Sequence, residues 1–276
     1  MKRRFAQVDV FSAVGTLGNP VAVVLDGDGL TPDEMAAFAR WTNLSETTFV
    51  LPATDPAADY RLVIYTPGGE LPFAGHPTLG SAFAWLAAGG SSRRERIVQE
   101  CGIGLVEIRE EAGRLSFAAP PLTRSGAVDA TTVDEVCAAL GVGIDEVSDA
   151  QWVVNGPEWM VLRLPSAQRV LDVTPDMAAL GDHLVGLVGA HPVNGDAAIE
   201  VRAFGPGVGV PEDPVTGSLN AGIAVWLRAT DAVPSQYIAT QGAALGRAGR
   251  VHVDDDGTDI WIGGDCIRVI DGTVDI

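Results

Sequence analysis

Lysine is almost absent from this 276-residue chain: Lys2 is the only one among 18 cationic residues, and the others are arginines. That shortage excludes several chemistries. A Walker A loop needs a Gly-Lys pair to meet phosphate, and none occurs. An enzyme that works through a Schiff base needs a buried lysine, whereas Lys2 sits at a chain terminus. Basic residues are also few relative to acids, 18 against 36, for a net charge of −18. A field of that sign repels phosphate, so neither nucleic acid nor an anionic membrane is an expected partner. Cysteine is sparse. Cys101, Cys137 and Cys266 form no CxxC pair, and three separated thiols suit neither a disulfide scaffold nor a zinc site. No 18-residue stretch is apolar throughout, so no membrane-spanning helix is expected. Gln7 and Asp9 interrupt the apolar core that a signal peptide would need after Met1-Lys2-Arg3-Arg4, which leaves a cytoplasmic location as the default.

What is present is a globular composition, 47% hydrophobic and 20% charged. The length suits one large domain or two of about 130 residues. The first half alternates strand-like and helix-like segments. Thr31-Pro32-Asp33-Glu34 has the form of a helix start: a capping Thr, a proline at the first helical position, and acids in the first turn. Thr47 to Leu51 and Tyr60 to Tyr65 read as strands, and Pro77 to Ala88 as a helix with no polar face, hence a buried central one. Pro120-Pro121 marks the expected boundary between domains 1–120 and 121–276, the last strand being a candidate to return to the first domain. A second apolar helix is expected from about Ser218 to Leu227.

The halves resemble each other. Tyr60 to Pro67 and Ile199 to Pro206 are both strands ending in proline, 139 residues apart, and Pro72 and Pro211 share that offset. His76-Pro77 with Asp213-Pro214, and Gly80-Ser81 with Gly217-Ser218, share an offset of 137. A duplication would set two Gly/Pro-rich loops facing each other across a cleft, a usual place for a small-molecule site.

Three clusters could carry chemistry. Asn43-Leu44-Ser45-Glu46-Thr47 places a glutamate between a helix and a strand, and composition alone reads it as a solvated loop acid. Glu70 to Thr78 holds Gly75-His76-Pro77 at a helix start, where amides lack internal partners and favour an anion; a capping proline and a structural histidine explain it equally. Glu212-Asp213-Pro214-Val215-Thr216-Gly217-Ser218 precedes the second apolar helix, with Thr216 or Ser218 as candidate cap. No metal-ligand spacing, no GxGxxG in a strand-to-helix context and no GxSxG around the serine accompany them.

Four runs occur in order: Gly18-Asn19-Pro20-Val21-Ala22-Val23-Val24, Asn43-Leu44-Ser45-Glu46-Thr47, Thr66-Pro67 through Glu70, Pro72 and Gly75-His76-Pro77-Thr78, and Glu212-Asp213-Pro214-x-Thr216-Gly217-Ser218. On these runs the chain resembles the PhzF family of phenazine-biosynthesis-type isomerases. The likeness is dense over 5 to about 90 and 199–228, and faint between about 120 and 190. The resemblance implies an α+β, diaminopimelate-epimerase-like fold of two pseudo-symmetric domains, each a curled sheet around a central apolar helix. It also implies a homodimer with no cofactor. Glu46 matches the family's catalytic acid/base, and His76, Asp213 and Ser218 its other polar site residues. Gly75 with His76, and Gly217 with Ser218, match loops that hold the substrate carboxylate. Related epimerases use two cysteines, and the three here lie outside every run. Asn220 departs from the small apolar residues common at that place, and either reaches the site or packs. The expected activity is isomerisation of a small carboxylic acid, Glu46 moving a proton between carbons after its pKa is raised by burial or by Asp213. Two alternatives stay open: an epimerase using Glu46 and Asp213 as two bases, and a non-catalytic protein that binds small carboxylates.

Overall fold

In the computed structural model, which describes every residue except Arg93, contacts divide the chain into two units: 1–118 with 263–276, and 119–262.

In the first unit the strand order is Cys266–Asp275, Lys2–Val10, Asn19–Val24, Thr47–Leu51, Tyr60–Thr66, Ile97–Cys101, Gly104–Glu111 and Arg114–Ala118. Neighbours are antiparallel except Asn19–Val24 with Thr47–Leu51 and Tyr60–Thr66 with Ile97–Cys101, which are parallel. The sheet curls around the helix Gly75–Ala87, which touches six of its strands. A helix so enclosed has no wet side. Leu79, Ala82, Ala84 and even Ser81 are buried, which explains a sequence without a polar stripe. Gly80 is required for the close approach. A β carbon there would stand 2.4 Å from Val21 and 3.0 Å from Val10.

A second helix, Pro32–Thr42, covers the sheet's other face. Its start is the capping box the sequence announces: Thr31 accepts from the Glu34 amide, and the Glu34 carboxylate accepts from the Thr31 amide at 2.8 Å. Met35, Phe38 and Ala39 pack against Val24, Phe49, Val63 and Tyr65. Each such fully buried large side chain stabilises by about 1.5–3 kcal/mol.

The second unit repeats the succession: Arg124–Ala127, Asp149–Val154, Trp159–Arg163, Leu184–Ala190, Ile199–Phe204, Gln236–Gln241, Gly249–Asp255. Its parallel pairs fall in the same places, third with fourth and fifth with sixth. Its central helix, Gly217–Ala229, is 13 residues long like the first. Gly222 lies five residues into it, as Gly80 does in its counterpart, and a β carbon there would meet the Val153 carbonyl oxygen at 2.5 Å.

The duplication corrects one sequence alignment. The helices begin at Gly75 and Gly217, 142 residues apart, so His76 corresponds to Ser218 and Gly80 to Gly222. The 137-residue offset, which matched His76-Pro77 to Asp213-Pro214, is not the structural one. The strands before the helices keep the 139-residue offset, and the loop after the second strand is simply longer.

One buried acid lies on the strand Ile199–Phe204. Glu200 is 3% exposed, accepts from the Thr240 hydroxyl at 2.5 Å and lies 3.4 Å from His191 Nε2. Burial pushes its carboxyl up to about 7, against a smaller opposing effect of the Thr240 hydrogen bond. The folded pKa therefore exceeds the unfolded one. The favourable contribution is complete below the unfolded value and is lost as pH rises through about 7. Glu200→Gln removes this loss, and between pH 5 and pH 8 the variant should gain on the order of 2–3 kcal/mol relative to wild type. Urea unfolding of both proteins at the two pH values checks it. Parallel pH dependences would refute the assignment.

Candidate functional site

The first group of polar residues is assembled in the first unit. The helix Pro32–Thr42 stops at Asn43, whose left-handed conformation (φ 54°) turns the chain back. Three residues later Glu46 arrives at the edge of the strand Thr47–Leu51. Thr42 and Thr47 hydroxyls, 2.7 Å apart, close this turn, and the Ala22 amide bonds the Glu46 carbonyl. Thr48 Oγ1 and Ser81 Oγ, both fully buried and 2.8 Å apart, tie the strand that follows Glu46 to the helix that carries His76.

This brings Glu46 Oε2 to 3.2 Å from His76 Nε2, with the side chains 15% and 5% exposed. Glu46 is thus not the solvated loop acid its flanking residues suggest. Burial raises its carboxyl to about 7, and a hydrogen bond from Ser45 opposes the rise in smaller measure. Desolvation, rather than a neighbouring acid, is the leading cause. On the far side of the imidazole, Asn19 Nδ2 lies 3.4 Å from His76 Nδ1. Ala74 caps the helix with no side-chain hydrogen bond, so no protein side chain covers the amides of Gly75 and His76 from the cap position.

The second group is assembled in the second unit, in the run expected from sequence. Here too the helix start has no side-chain cap, so neither Thr216 nor Ser218 plays the capping role considered for them. Thr216 stands at the cap position, but its hydroxyl donates to Asp213 Oδ2 at 2.6 Å. Gln241 locks this arrangement. Its Nε2 donates to the Asp213 carbonyl and to Thr216 Oγ1, both at 3.0 Å, and its Oε1 accepts from the Thr216 amide and from Asn220 Nδ2. Asn220 is 2% exposed and also donates to the Thr216 carbonyl, so its role is to pack and brace the helix start. Glu212 is structural: Arg202 grips both its oxygens at 2.9 Å. Ser218 Oγ accepts from the indole of Trp159 at 3.1 Å, and its carbonyl accepts from Asn155.

Gln241, Trp159, Asn155 and Arg202 were not legible as site residues. They lie 10 to 63 positions from their partners, and no local spacing announces them. Among the described residues no group of three or more His, Cys, Asp or Glu is placed to hold a metal ion, and no helix is long and apolar enough to cross a membrane.

The family model for phenazine biosynthesis-like proteins matches residues 8–272. Antisense-enhancing sequence 1 of Schizosaccharomyces pombe is 37% identical, with 97% of each chain covered. The trans-2,3-dihydro-3-hydroxyanthranilate isomerase of Pseudomonas aeruginosa is 33% identical over 92% of this chain and 91% of its own. A PhzF-family crystal structure from Bacillus anthracis covers all of both chains with a TM-score of 0.85 at 21% identity, so the two share one fold. With a family match that runs through both curled sheets and both uncapped helix starts, the chain belongs to the phenazine biosynthesis-like (PhzF) family and is an isomerase.

Proposed function

We propose that this enzyme is a cofactor-independent isomerase of a small carboxylic acid, and that Glu46 moves a proton from one carbon of the substrate to another. The observation that carries this reading is the buried Glu46 carboxyl, raised to about 7 and set 3.2 Å from His76. An acid/base that must both take and return a proton works best when its pKa lies near the working pH. A carboxyl near 7 populates both forms there.

The ionised Glu46 removes a proton from a carbon next to an unsaturated bond. The electron pair left behind shifts along that bond, and the protonated Glu46 returns a proton to the carbon at its far end. Atoms and charge balance without any other reactant. His76 stabilises the charge that develops. In the first unit the amides of Gly75 and His76 offer a carboxylate the partial positive charge of a helix start, which substitutes for the missing lysines, and in the second unit the amides of Gly217 and Ser218 offer the same. The Ser218 hydroxyl adds a donor. Asp213, whose Oδ2 accepts the Thr216 hydroxyl, holds a substrate amine or alcohol.

The Pseudomonas relative names the first compound to try, trans-2,3-dihydro-3-hydroxyanthranilate. In deuterated water the isomer formed should carry deuterium at the carbon that gains hydrogen, whenever Glu46 exchanges before it returns its proton. Turnover with inversion at a single carbon would mean epimerisation instead. Binding with neither exchange nor turnover, across a panel of small amino and hydroxy acids, would reduce the protein to a carboxylate binder.

A further inference from the structure

The duplication superposes two hydrogen bonds that have no common sequence. Asn19 opens the strand Asn19–Val24, and Trp159 opens the strand Trp159–Arg163, third in each succession. His76 and Ser218 are each the second residue of a central helix. Asn19 Nδ2 meets His76 Nδ1 at 3.4 Å, and Trp159 Nε1 meets Ser218 Oγ at 3.1 Å. Packing holds both arrangements: Asn19 is 1% exposed and Trp159 6%. The glycines Gly80 and Gly222 let the helices approach the neighbouring strand that carries Val10 and Val153.

The chemistry of these contacts is one-directional. An amide nitrogen and an indole nitrogen can only donate. His76 Nδ1 must therefore accept, and a neutral imidazole that accepts at Nδ1 carries its hydrogen at Nε2. That is the atom 3.2 Å from Glu46 Oε2. Ser218 Oγ must likewise accept from Trp159, so the hydroxyl's own hydrogen is left to donate elsewhere.

We infer that Asn19 and Trp159 are a duplicated pair of positioning residues, each fixing where the hydrogen sits on the polar side chain at the second helical position. Asn19 leaves the His76 hydrogen on Nε2, the nitrogen that stands 3.2 Å from Glu46 Oε2, and so supports the ionised carboxylate that accepts a proton from carbon. Trp159 turns the Ser218 hydroxyl into a donor suited to a carboxylate oxygen. The benefit to catalysis rests on the isomerase reading above. The hydrogen positions do not, and they are measurable without substrate.

The test is nitrogen NMR on the ligand-free full chain labelled at histidine and tryptophan, with the His76 signals identified by their loss in His76→Gln. Wild type should show neutral His76 protonated at Nε2 and bare at Nδ1. In Asn19→Asp, whose side chain accepts where the amide donated, Nδ1 should become protonated. The Trp159 indole N–H should exchange slowly with solvent. Ser218→Ala should speed that exchange at least about tenfold, the factor that corresponds to one neutral hydrogen bond of about 1.4 kcal/mol, and Ser218→Thr, which keeps the oxygen, should not. A wild-type His76 protonated at Nδ1, an unchanged tautomer in folded Asn19→Asp, or equal indole exchange in wild type and Ser218→Ala would each overturn the inference. Should Asn19→Asp not fold, the wild-type spectrum decides alone. Failure of the isomerase reading shows separately, as neither turnover nor deuterium exchange with these hydrogen positions intact.

Discussion

Glu46→Gln is expected to lower proton transfer to and from carbon by about 10²–10⁴-fold, the range by which positioned acid/base groups accelerate such steps. The substitution keeps the shape and removes the proton acceptor. The loss should appear in kcat, because the carboxyl acts on the reacting carbon, while substrate affinity changes little. In wild type the proton-abstraction limb should rise with pH through about 7 and then level, since the ionised form is the base. Stability should move the other way. The folded pKa of Glu46 is raised by burial, so its favourable contribution is complete below the unfolded value and lost as pH rises through about 7. Glu46→Gln should therefore be more stable than wild type above neutral pH while being less active. Loss of activity together with loss of stability would mean a folding defect. Exchange at the wild-type rate would remove Glu46 from the mechanism.

The second large effect concerns Arg202. Its guanidinium grips Glu212 in a bidentate pair whose side chains are 5% and 9% exposed, and its Nη1 donates to the carbonyls of Val170 and Val173. Arg202→Met strips the cation and leaves a buried carboxylate without a partner. Breaking a buried pair from one side costs about 3–5 kcal/mol, more than the pair itself contributes. Urea unfolding measures this directly. Adding Glu212→Gln should return part of the loss, because the stranded charge is removed. Asp213 follows Glu212 in the chain, so turnover should fall in the single variant even at temperatures where it remains folded. A cost below about 1 kcal/mol would show that Glu212 reaches water when Arg202 is gone.

Some of this was readable from the chain alone. The Thr31-Pro32-Asp33-Glu34 start is a local device, and it forms the capping box as written. The two apolar helices announced their burial by lacking a polar stripe. Offsets near 140 residues revealed the duplication, but Gly, Pro and Ala recur too often to place the longer loop, so His76 was matched to Asp213-Pro214 instead of Ser218-Leu219. Asn220 could not be placed between site and core, because its partners, Thr216 and Gln241, meet it only when the strand Gln236–Gln241 lies beside the helix start. Glu46 was visible through the run that contains it and invisible through its chemistry.

The difference is one of range. Helix starts, turns, the pattern of apolar residues and the exclusions that follow from a single lysine depend on residues close in sequence or on composition, and the chain by itself determined them. The near-neutral Glu46, its approach to His76, the brace around Thr216 and the buried grip of Arg202 on Glu212 were decided only by tertiary structure. Desolvation sums over every neighbour that displaces water, and a hydrogen bond between buried groups depends on ångström-scale placement by distant strands. The lack of lysine excludes whole classes of chemistry, but only the fold raises two carboxyls among 36 acidic residues, Glu46 and Glu200, to about 7.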